Sequence, residues 1–128
     1  MDLKLFTEEL CQRRRLEQRG FMEMLLRSSV IESLPNRELF HALLQLAVNE
    51  YGVRQSRLAE VLPAKLPVVS RWVAGLTAPP RYARALVIVA AASIIAVEIG
   101  MDEVEFDRLK PETIKIAGSK FHTAFRPS

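Results

Sequence analysis

In residues 55–79, QSRLAEVLPAKLPVVSRWVAGLTAP, the chain spells two short helices around one break. Gln55, Leu58, Ala59 and Leu62 recur at helical spacing. Pro63, Ala64 and Lys65 then interrupt the pattern, and a second helix carries Val69, Ser70, Arg71 and Trp72 until Gly75. Two helices joined by a tight turn are the unit that sets one helix against the DNA major groove. Ala59 is small where the two helices must approach, and Leu58, Leu62, Val69 and Trp72 offer a small shared core. Gly75 lets the chain leave the second helix without a Cβ penalty.

Outside this stretch the helical reading continues. Asn36 is placed to cap a helix over about 37–51, in which Leu39, Phe40, Leu43, Leu46 and Ala47 form an apolar face and Gly52 ends the run. Residues 33–36 mark a boundary, because Pro35 disfavours helix at Leu34. Upstream, residues 7–28 predict a helix capped by Thr7, with Phe6, Leu10, Phe21, Met24, Leu25 and Ile31 apolar and Gly20 weakening its middle. Downstream, Pro79 and Pro80 precede a helix over 81–99 whose residues 85–97 have Ser93 as their only polar member. That block is too short for a membrane span, which needs about 20 residues. It must therefore be buried on every side. Two covers are available: a second copy of the chain, or the N-terminal helix through Leu10, Phe21, Met24 and Leu25. A dimer using both is the expectation. Residues 102–110 suggest a short acidic helix with Val104, Phe106 and Leu109, and 113–117 an extended arm.

Charge narrows the function. The net charge is +3. Residues 1–34 sum to zero and 98–128 to −1, whereas 54–84 hold Arg54, Arg57, Lys65, Arg71, Arg81 and Arg84 against Glu60 alone. The excess sits on the two-helix stretch and its flank, as phosphate binding requires. Arg13, Arg14 and Arg15 lie among Glu8, Glu9, Glu17 and Glu23 and read as a solvated helix face. There is no basic n-region ahead of an apolar block, and the single Cys11, read as a half-buried helix residue, fits a reducing, cytoplasmic setting. No glycine-rich phosphate loop, HExxH, Cys/His ligand set or Ser/His/Asp spacing is present, so neither an enzyme nor a cofactor or metal is expected. His41 reads as a surface group and His122 as part of the tail.

The spacing resembles the λ-repressor/Cro-like (XRE-type) helix-turn-helix family, with its pattern Q-x-x-L-A-x-x-x-G-v-s-x-x-x-i-S-r-W-x-x-G-x-x-x-P. Gln55, Leu58, Ala59, Val69, Ser70, Arg71, Trp72, Gly75 and Pro79 fall on it without a gap, while Pro63 replaces the turn glycine and Lys65 the Ser/Thr cap. The resemblance implies an all-α, λ-repressor-like domain at 36–99, with an N-terminal helical extension at 1–35 and an acidic helix and tail at 100–128. It implies a bacterial or phage transcriptional regulator that binds double-stranded DNA as a homodimer. On this reading Arg54 and Gln55 meet phosphate at the start of the first motif helix. Lys65 also suits a phosphate, and Leu66, Pro67 and Arg71 fall at the base-reading positions with Val68 and Ser70 nearby. Arg71 suits a bidentate contact to guanine. The apolar character of Leu66, Pro67 and Val68 keeps an alternative open: an interaction module of antiactivator or antitoxin type, docking on another regulatory protein. A third reading is an accessory DNA-binding protein of plasmid or mobile-element transfer.

Overall fold

A computed structural model describes residues 3–29 and 36–109. They form six helices, α1 (Leu3–Ser28), α2 (Arg37–Asn49), α3 (Gln55–Val61), α4 (Leu66–Ala74), α5 (Arg81–Glu98) and α6 (Glu103–Leu109), with no strand among the described residues. The architecture is all-α. The side chains of Phe6, Leu10 and Cys11, together with Ile31, the 113–117 arm and His122, lie outside what is described.

α5 is the centre of the molecule. Every residue from Val87 to Ala96 is buried, with α1 as its most extensive neighbour and α2 and α3 on other sides. One continuous core joins Met22, Leu25 and Leu26 of α1, Phe40, Leu43 and Leu44 of α2, Leu58 and Val61 of α3, Val69 of α4, and Phe106 of α6 to this helix. Ala90, Ala91 and Ala92 keep α5 thin enough for neighbours on several sides. Ser93, fully buried, donates its hydroxyl to the Ala90 carbonyl at 2.6 Å, so the helix itself satisfies the one polar side chain of its buried stretch. For Val87 to Ala96 the cover is thus supplied within one chain, with Phe21 and Leu25 buried and Met24 partly buried as the α1 contribution, whereas Ala85 and Leu86 are half-buried and Val97 is 39% exposed, so the block is not enclosed to its ends.

The remaining elements follow local rules, with corrections. Asn36 caps α2 by accepting the Glu38 N–H at 2.9 Å. α1 begins at Leu3, so Thr7 is an interior residue and not its cap. Exposed Gly20 does not interrupt α1, because Phe21, Met22, Leu25 and Leu26 dock the helix on the core and packing outweighs propensity. On α2, Leu46 is 43% exposed and Leu44 takes its place in the core. α6 is held by Phe106 alone of its three apolar candidates, since Val104 and Leu109 are exposed. Arg19 of α1 reaches α6 at Glu105, 2.8 Å away, and Glu23 at 3.0 Å. Those hydrogen bonds, Glu105's first, push its pKa above the usual arginine value. Among the described residues no helix is long and apolar enough to cross a membrane.

Candidate nucleic-acid interface

α3 and α4 leave their helices by the same turn with different residues. At the end of α4, Gly75 takes φ +79°, its N–H meets the Trp72 carbonyl at 3.1 Å, and Leu76 N–H reaches Arg71 at 3.0 Å. This paired closure needs a left-handed residue, which glycine accepts freely. At the end of α3, Ala64 N–H reaches the Ala59 carbonyl at 2.9 Å, the equivalent outer bond. The left-handed position there falls on Pro63, at φ +20°. Proline has no N–H for the inner bond, so this turn closes through the outer bond alone.

Past the turn, Lys65 precedes α4 in an extended conformation without a side-chain cap, and its carbonyl accepts the first intrahelical bonds from Val68 and Val69. Pro67 sits in the first turn of α4, where a missing N–H removes no helical bond. The helix is two-faced. Val69 and Val73 are buried and Trp72 half-buried, whereas Leu66 (46% exposed), Pro67, Arg71 and Ala74 face outward.

Two hydrogen bonds fix α4 in place, and a third fixes the segment after it. Ser70 donates its hydroxyl to Gln55 Oε1 at 2.7 Å, tying α4 to α3 and leaving the Gln55 amide N–H donors for another partner. Gln45 of α2 donates to the Val73 carbonyl at 2.9 Å. His41 Nε2 meets the Thr77 carbonyl at 3.0 Å. His41 is therefore a strut for the segment after α4, not a free surface group; only a contact 36 residues distant reveals that role.

Arg54, Gln55, Leu66 and Ser70, four of the eight sequence candidates, line one open depression of about 650 Å³ with Val48, Gly52, Val53 and Ser56. Lys65, Pro67 and Arg71 are exposed next to these residues in the chain but outside that lining, and Val68 is partly buried. The charge excess also resolves into parts. Arg57 pairs with Glu60 at 2.8 Å, and Arg84 donates to the Pro79 carbonyl at 3.1 Å. Arg54, Lys65 and Arg71 are exposed and form no ion pair among the described residues. Leu76, 72% exposed just past α4, adds an apolar element that the sequence pattern does not single out. No protein-family profile, curated protein or solved structure matches the chain.

Proposed function

We propose that this chain is a small transcriptional regulator of helix-turn-helix type that binds double-stranded DNA through the α3–α4 face. The observation that carries this reading is a set of exposed cations around the outward side of α4, Arg54, Lys65 and Arg71, which have no ion-pair partner among the described residues. Arg54 and Lys65 neutralise phosphates, and Gln55 offers its amide N–H groups beside them. Arg71, on the outward face of α4, reads guanine, and Leu66 and Pro67 provide apolar contact to thymine methyl groups. Two copies on a two-fold site complete the proposal, as is usual for readers of this geometry. Their interface lies elsewhere than the buried stretch of α5.

A titration of random duplex DNA at several salt concentrations tests the reading. The two phosphate-facing cations of this face, Arg54 and Lys65, contribute about −1.8 to the log–log slope for each bound copy. A specific observation favours a second reading: Leu66, Pro67 and Ala74 make much of the outward side of α4 apolar, and Ser70's hydroxyl proton is committed to Gln55. That surface suits docking on another regulatory protein. Absence of DNA binding at low salt would replace the first reading with the second.

A further inference from the structure

Arg14 does not project freely from the solvated side of α1. Its Nη2 donates to the Glu50 carbonyl in the segment that joins α2 to α3, and its guanidinium carbon lies 5.5 Å from the Tyr51 ring centroid. Tyr51 is itself fixed, stacked on Phe21 at 4.0 Å between centroids with the rings 2° from parallel. The Arg14 side chain remains 51% exposed, and Glu17 approaches it at 4.0 Å. A guanidinium carries five N–H donors. One carbonyl bond and one long ion pair leave several for an outside acceptor.

The position matters as much as the pinning. Glu50 and Tyr51 directly precede Gly52, Val53, Arg54, Gln55 and Ser56, all of which line the depression beside α4. Arg54 is four positions beyond Glu50, a span of at most about 14 Å even for extended chain. One strand of a duplex offers about four phosphates over that axial rise. Arg13, the next residue on α1, is also exposed.

Resting on the DNA-binding reading above, we infer that Arg14, with Arg13 beside it, is a second phosphate clamp that extends the DNA footprint from the α3–α4 face onto α1. The clamp holds the duplex backbone and reads no base. Pinning by Glu50 and Tyr51 supplies in advance part of the ordering that a free arginine would undergo on binding.

The test measures salt dependence of duplex binding by the full chain. Arg14→Gln flattens the log–log slope by about 0.9, which is roughly 3.5-fold less affinity lost between 50 and 200 mM salt. Arg13→Gln, at an exposed position that leaves the Tyr51 contacts intact, flattens it similarly. Arg14→Lys keeps the parent slope. Arg27→Gln removes the same charge from an exposed site about 20 Å along α1 and leaves the slope unchanged. If the parent binds DNA but Arg14→Gln and Arg13→Gln keep its slope, the clamp is wrong and the α3–α4 reading stands. The clamp is equally wrong if Arg27→Gln flattens the slope as much, since the effect is then general charge. A parent chain that binds no duplex overturns both.

Discussion

α4 and α5 are both rich in apolar residues, yet the fold uses them in opposite ways. In α5 every side chain from Val87 to Ala96 is enclosed, and the one hydroxyl is satisfied by the helix itself. In α4 only the stripe through Val69 and Val73 is enclosed, while Leu66, Pro67, Arg71 and Ala74 face water. The enclosed helix makes stability; the two-faced helix is free to make contacts with another molecule. A residue's worth therefore depends on which helix carries it more than on its own hydropathy.

The sharpest way to break this comparison is to place one charge on each helix. Ile95→Asp puts a carboxylate at a fully buried position and costs more than about 4 kcal/mol, abolishing cooperative thermal unfolding. Leu66→Asp alters stability by no more than about 0.5 kcal/mol. Equal effects on the melting curves would erase the distinction. Next in size is the cover that α1 provides. Leu25→Ala removes a fully buried side chain and costs about 2–5 kcal/mol in urea unfolding. A loss under about 1 kcal/mol would show that α1 is not part of the cooperative core.

On the two-faced helix the expected effect is on binding instead. Arg71→Ala weakens binding to a selected duplex by about 1–3 kcal/mol and relaxes the preference at one base, with the melting temperature unchanged. Unchanged affinity for that duplex would remove direct readout by α4. The smallest effect has the opposite sign. Pro63→Gly supplies the N–H of the inner turn bond, offset partly by the entropy of glycine, for a gain of less than about 1 kcal/mol. A destabilised variant would mean that proline's rigidity matters more at this turn than the inner bond.

Much of the helical framework is legible along the chain because its signals are local. Asn36 capping α2, the break at 63–65 and the end of α4 at Gly75 each depend on residues within a few positions. The same reach explains the exposed Lys65 and Arg71, since a period of 3.6 places them once the inward stripe is known. It also marks Leu44 over Leu46, since Phe40, Leu43, Leu44 and Ala47 are spaced i, i+3, i+4 and i+7 and Leu46 falls off that stripe. It fails where a partner is distant. His41 and Arg14 look like ordinary polar helix residues until Thr77 and Glu50 arrive beside them.

The sequence by itself determined that most of α5 must be hidden, since residues 85–97 with one hydroxyl among them offer no polar face, and that the cations concentrate around α3 and α4; the structure encloses Val87 to Ala96 and leaves Val97 at the end exposed. Only the tertiary structure decided what hides α5. α1, α2 and α3 close around it within one chain, because a helix's need for burial is indifferent to whether its cover comes from the same chain or another. Tertiary structure also decided which cations remain available. Charge is a property of composition, and Arg57 meets Glu60 by the local i,i+3 spacing of α3, but whether Arg14 meets Glu50 depends on where α1 passes the α2–α3 link, and that is fixed by side-chain packing far from the pair.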